Sequence, residues 1–275
     1  MRTLPRSFLF LTVLAAAELS SAYGAEWETT LSKLPAKPFL ELRPLRARYS
    51  FGWAGFTAAT ADLHFETGNG RLQLTGAGKT IGLVRSLWAY DLENKSLTDA
   101  QTLRPIEVRE VETLRAKQTT TELKFSEQGV EGTREERKGD VVSSRKGRFE
   151  FADLHSLSSA LLFLRAQPLS NGNVERVVAY PTSSAYLCTL TVVGRERITV
   201  PAGTFDAIKM TAQLSKVEKD RTLSPHKKFR NATVWLSDDA NRLLLRIEAQ
   251  IFVGKVYTQL QSVEFDSPAP ASARR

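Results

Sequence analysis

Cysteine is almost absent: Cys188 stands alone, so no internal disulfide can form. Buried apolar surface rather than covalent cross-links must then hold the fold. In "SAYLCTLTVV" the residues Tyr186, Cys188, Leu190 and Val192 share one face of a strand, so the thiol reads as a small buried hydrophobe. Histidine is equally scarce. His64, His155 and His226 show no ligand-like spacing, and no metal centre is expected. There is no Gly-x-Ser-x-Gly elbow, Walker A loop or Rossmann fingerprint, so no catalytic residue and no cofactor is assigned. Charge of one sign is missing too. The formal net charge is +8, but Lys and Arg are interleaved with Asp and Glu nearly everywhere, a pattern that disfavours nucleic-acid binding. Beyond the first residues, no apolar run approaches the roughly 20 residues of a membrane span.

The N-terminus carries an export signature. Arg2 and Arg6 give a basic region, Phe8 to Ala17 an apolar one, and Ala22 and Gly24 supply small residues before a cleavage point after Gly24. Ala25 follows the cut, so lipid attachment at a cysteine is not indicated. Residues 1–24 are thus expected to be a signal peptide, 25–44 a proline-containing lead-in, 45–266 a single domain and 267–275 a disordered tail. The mature chain, at a formal +7, is expected in the periplasm or otherwise outside the cytoplasm, with no transmembrane span.

From Leu45 onward the period is two. "ADLHFE" sets Ala61, Leu63 and Phe65 against Asp62, His64 and Glu66, and "AIKMTAQLS" alternates in the same way. In "RARYSFGWAGF", Tyr49, Phe51 and Trp53 share a face. Such alternation describes antiparallel strands with one buried face. Turn residues at 67–70, 76–78, 138–140, 170–173 and 237–241 separate roughly a dozen of them, as in a barrel or sandwich. One segment departs. "DLHSLSSALLFLRAQP" places Leu154, Leu157, Leu161 and Leu164 at helical spacing, with Asp153 as a plausible N-cap and Pro168 as a stop. Leu162 and Phe163 lie off the main stripe, so this helix is apolar in more than one direction and should be buried on two sides or cross an apolar hollow. In "RITVPAGTFDAIKM", Pro201 and Gly203 make a hairpin corner with no nucleophile or phosphate cradle; it bends a sheet.

Several of these stretches, in order, resemble the bacterial envelope family known as domain of unknown function 3108. They are "YSFGWAGFTAATADL", "LTDAQTLRPIEV" with Asp99, Leu103 and Pro105, "SALLFLRAQPL", "GRERITVPAGTFDAIKM", "VWLSDDANRLLLRIEA" and "GKVYTQL". The likeness runs from about Leu45 to Phe265. Ala59 stands where the family often has glycine, and Leu244 where proline is common. The resemblance implies an exported, mostly β protein with a strongly curved antiparallel sheet and one helix, similar to half-barrel lipoprotein carriers, and implies no reaction.

The fold expected is therefore all-β with one main helix, a curved antiparallel sheet forming an open or closed barrel with the helix over its concave face. The function expected is non-enzymatic binding of an apolar or amphipathic ligand, a lipid or acyl chain, with Phe51, Trp53, Leu161, Phe163, Leu164 and Arg165 lining the cavity. Arg165 is placed to meet an anionic group. The basic connection carrying Lys216, Lys219, Arg221, Lys227, Lys228 and Arg230 is a candidate contact for an anionic envelope surface. Two alternatives stay open. One is a structural or interaction protein of the envelope with a filled core. The other is a glycan or ester hydrolase. Asp153, His155 and Ser156, Ser158 or Ser159 have the residue types for it but crowd into one turn, where helix capping explains them, and Asp238 and Asp239 are adjacent in a turn.

Overall fold

The computed structural model describes residues 26–38, 42–53, 55–226, 229–251 and 254–266. The expected signal peptide and tail lie outside them. Sixteen strands join one sheet: β1 (Leu45–Trp53), β2 (Phe56–Gly68), β3 (Arg71–Thr80), β4 (Tyr90–Asp99), β5 (Pro105–Leu114), β6 (Lys117–Ser126), β7 (Gly129–Lys138), β8 (Val141–Glu150), β9 (Leu154–His155), β10 (Val174–Ala179), β11 (Ala185–Val200), β12 (Gly203–Val217), β13 (Leu223–Pro225), β14 (Phe229–Ser237), β15 (Leu244–Ile251) and β16 (Gly254–Phe265). Two helices interrupt them, α1 (Gly82–Leu87) and α2 (Leu157–Ala166).

The path through the sheet starts in its middle. β1 pairs with β2 on one side and β16 on the other. From β1 the chain meanders strand by strand to one edge at β8, reappears at the opposite edge as β9 and β10, and returns through β11, β12, β14 and β15 to β16. Only Phe151, Ala152 and Asp153 separate β8 from β9. Four extended residue steps reach at most about 14 Å, so the sheet must curl until its two edges are neighbours there. No backbone ladder joins them, so the sheet is open. Side chains join the edges instead: Phe149 meets Tyr180 at 5.9 Å, and Trp27 stacks on Phe151 at 5.8 Å. Register shifts in β1, β4, β11 and β14 supply bulges that let so long a sheet bend.

Trp27 belongs to the proline-containing lead-in, which turns out to be part of the packing. Its indole donates to the Arg221 carbonyl at 2.9 Å, and Ser32 bonds along β10 through its amide to Arg176 and its hydroxyl to Glu175. The segment thereby covers part of an edge strand that would otherwise be open.

One face of the sheet carries the core. The register aligns Leu45, Ala47 and Tyr49 of β1 with Phe65, Leu63 and Ala61 of β2 and with Phe265, Val263 and Leu260 of β16. Each fully buried Leu or Ile, such as Leu245, Leu260 or Ile208, contributes about 2 kcal/mol. α2 packs on this face. Leu162 and Ala166 join the cluster of Tyr49, Leu72 and Trp235, and Leu164 joins that of Val192, Ile208 and Met210.

The N-cap of α2 is Ser156, not Asp153. Ser156 and Ser159 form a reciprocal capping box, and Asp153 is drawn away into an ion pair with Arg104 at 2.5 Å. The Pro201 corner is a tight hairpin, with Val200 paired to Gly203 and Gly203 at φ +137°.

Candidate functional site

The core face is not filled everywhere. Past Tyr49, β1 continues with Phe51 and Trp53 on the same face, but the residues opposite are small. Phe51 lies across from Ala59 on β2 and Thr258 on β16, Ala61 lies across from Gly78 on β3, and Val256 faces Ala249 on β15. Large rings over a floor of Ala, Gly and Thr leave space. The result is an apolar hollow of about 530 Å³, completed by Tyr90 and Leu92 of β4, Ile247 of β15, and Val84 and Trp88 beside them.

α1 forms the remaining wall and is pinned there. Thr80 donates its hydroxyl to the Trp88 carbonyl at 2.9 Å and accepts from the Tyr90 amide at 3.1 Å. Arg85 forks onto Asp91 at 2.8 and 3.0 Å, an interaction that holds the Asp91 carboxyl below the usual range. Arg115 donates to the Leu87 carbonyl at 2.9 Å.

One strand further on, the same face becomes charged. Leu92 pairs with Glu112, and Asn94 with Glu110. The Tyr90 hydroxyl donates to Glu112 at 2.8 Å, Asn94 donates to Glu110 at 3.2 Å, and Arg134 lies 3.7 Å from Glu112 and 3.5 Å from Glu136. Burial pushes the Glu110 carboxyl above its ordinary range. The hollow therefore has an apolar floor and a polar neighbour.

The six cavity residues expected from the sequence separate into two places. Phe51 and Trp53 line the hollow; Leu161, Phe163, Leu164 and Arg165 do not. Leu164 is buried, and Leu161 packs at the edge of the same cluster, which also contains Ile247, Ala249 and Val256. The helix shares that cluster and contributes no side chain to the hollow. Phe163 lies 5.0 Å from the His155 ring and borders a separate cleft of about 280 Å³ under the lead-in.

Arg165 is buried and turned into the protein. Its guanidinium donates to the Asn241 carbonyl at 2.6 Å, and burial pulls its pKa down to about 10. Arg242 returns the contact, donating to the carbonyls of Arg165 and Pro168 at 3.2 Å and to that of Gln167. The two arginines clamp the C-terminus of α2 to the β14–β15 turn, where the helix dipole favours cations. The Cys188 thiol, partly buried against the same core, is pushed up to about 12 by loss of solvent.

His155 and Ser159 do converge, with Nδ1 3.2 Å from Oγ. Ser159 has no exposed surface, and its hydroxyl accepts from the Ser156 amide at 2.9 Å as part of the helix cap. Burial drives the His155 pKa down to about 4. Among the described residues no three His, Cys, Asp or Glu side chains cluster as metal ligands would.

On the opposite face a wider depression of about 700 Å³ is floored by charges, among them Arg48 and Asp62 paired at 2.7 Å; it is a solvated strand surface. In the basic connection, Lys216 pairs with Glu218 at 2.6 Å and Arg221 lies over the Phe151 ring at 4.7 Å, while Lys219 is exposed. Lys227, Lys228 and the Arg230 side chain lie outside the described residues.

The sequence signal for the hollow was the run of small residues in "FTAATADL" and "GAGKT", which hydrophobic patterning does not weigh. The helix α1 carried no cap and only six residues, too little to register.

The chain belongs to the family described as Protein of unknown function (DUF3108), whose model matches residues 48–261. Among solved structures it is similar to a beta-barrel-like protein of domain of unknown function DUF1849 from Brucella abortus, at 12% identity and TM-score 0.52, with 83% of this chain and 100% of that one covered. A candidate lipoprotein from Parabacteroides distasonis matches at 11% identity and TM-score 0.34, with 84% and 100% covered. A candidate exported protein with a YmcC-like fold from Bacteroides fragilis matches at 7% and 0.35, with the same coverage. No curated protein matches. Among the described residues no helix is long and apolar enough to cross a membrane.

Proposed function

We propose that this chain is an exported, non-enzymatic protein that holds an apolar or amphipathic molecule, of the lipid or acyl-chain class, on the concave face of its sheet. The observation that carries the reading is the unfilled apolar hollow of about 530 Å³ over Ala59, Ala61 and Gly78. That volume falls within the roughly 300–1,000 Å³ of small-molecule sites. A protein gains nothing in stability from leaving such surface to water, whereas an acyl chain gains about 0.8 kcal/mol for each methylene it buries there. The polar group of an amphipathic guest would meet Tyr90 at the edge of the hollow, Glu112 one strand beyond it and Arg134 three strands beyond it.

The packing around α2 favours a second reading, an envelope scaffold with a filled core, because Leu161, Leu162, Phe163 and Leu164 of that helix all meet protein, and only Leu157 faces solvent. One experiment separates the two. Protein purified from its own envelope under mild conditions is examined by native mass spectrometry, and a fluorescent fatty acid is titrated into delipidated wild type and into Ala61→Trp and Gly78→Ile. A carrier shows co-purifying lipid and at least an order-of-magnitude weaker probe binding by the filled variants. A bare polypeptide, with equal probe binding by all three, leaves the scaffold.

A further inference from the structure

Many of the large hydrophobic side chains left in solvent, though not Leu157, Val174 or Val193, lie at one end of the sheet. The turn between β1 and β2, helix α1, the end of β5 and the start of β8 all lie at one end of the sheet, as the strand register requires. That end displays Phe56 (74% exposed), Leu83 (77%), Leu87 (67%), Trp88 (53%) and Val141 (71%), with Trp53 half exposed among them. α1 is pinned by Thr80, Arg85 and Arg115, yet it presents Leu83 and Leu87 outward. Clustered apolar surface of this kind marks an interaction site rather than an ordinary surface.

Charge at the same end is one-sided. Lys79, Arg115, Lys138 and Lys255 are exposed; Arg115, Lys138 and Lys255 form no ion pair with any described residue, while Lys79 lies across from Asp91 and helps Arg85 hold its carboxyl down. Of the acids there, Asp91 pairs with Arg85, Glu112 with Arg134, Glu135 with Arg137, Glu136 with Lys117 at 2.8 Å and Glu218 with Lys216, which leaves Asp140 in the β7–β8 turn and Asp220 beyond β12. Exposed Trp, Phe and Leu bordered by Lys and Arg in excess of acids are the composition that settles at the headgroup level of an anionic bilayer. Trp53 and Trp88 belong both to this rim and to the wall of the hollow, so the rim borders the hollow on that side.

We infer that this end of the sheet is a membrane-docking rim, in which Phe56, Leu83, Leu87 and Trp88 enter the interface of an anionic lipid bilayer and Lys79, Arg115, Lys138 and Lys255 engage its headgroups. If the hollow carries a lipid, as proposed above, docking in this orientation passes the guest between bilayer and protein without exposing it to water. The rim itself does not depend on that reading.

The test is flotation of the chain lacking residues 1–24 with phosphatidylcholine vesicles and with vesicles containing phosphatidylglycerol, at low and at high salt. Wild type is expected to float with the anionic vesicles only and to be released by salt. Leu83→Glu/Leu87→Glu is expected to weaken partitioning by about tenfold or more, and Lys138→Glu or Lys255→Glu by on the order of fivefold each, with unchanged thermal unfolding because all four residues are exposed. Absence of flotation, or equal flotation of wild type and variants, overturns the proposal. So does a dimer, seen by sedimentation velocity, that Leu83→Glu dissociates, since the rim then serves a second copy of the chain. Ala61→Trp fills the hollow and spares the rim. If it floats normally while the fatty-acid titration shows no binding by any form, the rim stands and the carrier reading fails.

Discussion

Acidification isolates one buried group, His155. The ring is 8% exposed, lies against Phe163, and sits where Arg104 disfavours a second positive charge more than Asp153 favours it. Desolvation is the largest cause of its low pKa, about 4 against an ordinary 6.5. Between those values the unfolded chain binds a proton that the folded chain refuses. The stability is therefore intact above pH 6.5 and is lost as pH falls toward 4. At about 1.4 kcal/mol per pH unit, the loss between pH 6.5 and pH 5 is about 2 kcal/mol. The carboxylates held below their ordinary range, such as Asp91, Asp99, Glu136 and Glu196, release their stabilisation only at lower pH and stay out of this window.

The assay is urea unfolding followed by tryptophan fluorescence at half-unit steps from pH 7.5 to 5, for wild type and His155→Asn. Asparagine keeps a polar atom near Ser159 and cannot titrate. It forfeits the ring contact with Phe163, so the variant starts about 1 kcal/mol less stable at pH 7.5. The wild-type line should then fall by about 2 kcal/mol relative to the variant's and cross it before pH reaches 5. Parallel lines through that window would refute the reasoning. So would a His155 proton resonance that titrates near 6.5 in the folded protein.

Further expectations follow from single contacts. Arg242→Met strips donors from three carbonyls at the end of α2 and should cost roughly 3 kcal/mol in urea unfolding, with little change in fatty-acid binding. Gly129→Ala asks an alanine to hold φ +143° with its Cβ 2.1 Å from the Phe149 carbonyl oxygen, so a loss of about 3 kcal/mol or failure to fold is expected. Glu110→Gln keeps the Asn94 contact and removes a charge that burial disfavours; its melting temperature should exceed the wild type's at pH 7.5 and match it near pH 4, where the wild-type carboxyl is protonated.

What the chain reveals before any coordinates are known differs from element to element, for physical reasons. Strands such as β2 and β12 are legible because one face meets protein and the other meets water, which writes polarity at period two. β8 is not, because nothing covers most of either face: eight of the residues in "VVSSRKGRFE" are exposed in an unbroken run. The recurring stretches of the family were legible as a set, but their purpose was not. Glu196 of "GRERITVPAG" accepts from the Trp235 indole at 2.7 Å, and Arg195 pairs with Asp238 at 2.9 Å, so two distant motifs are one contact. Together with the Arg165–Arg242 clamp they fasten helix, turn and hairpin, and long-range pairing of that kind leaves no local trace.

The helix and the hollow were misjudged together, for one reason. Patterning records whether a side chain avoids water and is silent on what fills the space beside it. The many apolar directions of α2 suggested a roof over empty volume, yet Leu162, Leu164 and Phe163 each meet protein. Empty volume arises where core-facing positions carry too few atoms, at Ala59, Ala61, Gly78 and Ala249 around Phe51 and Trp53. Side-chain volume along a strand face is therefore the quantity to read for a cavity. Ala59 supplies only a methyl there and leaves the deficit in place. Restoring the missing volume at Ala61 or Gly78 should stabilise a chain whose hollow is an incidental packing defect, since burying added apolar atoms is favourable where space exists. In a carrier the same substitution removes the guest and any stability the guest confers. Thermal unfolding of Gly78→Ile before and after delipidation reads that difference directly: a midpoint above wild type in both states identifies a defect, and one above wild type only after delipidation identifies a site.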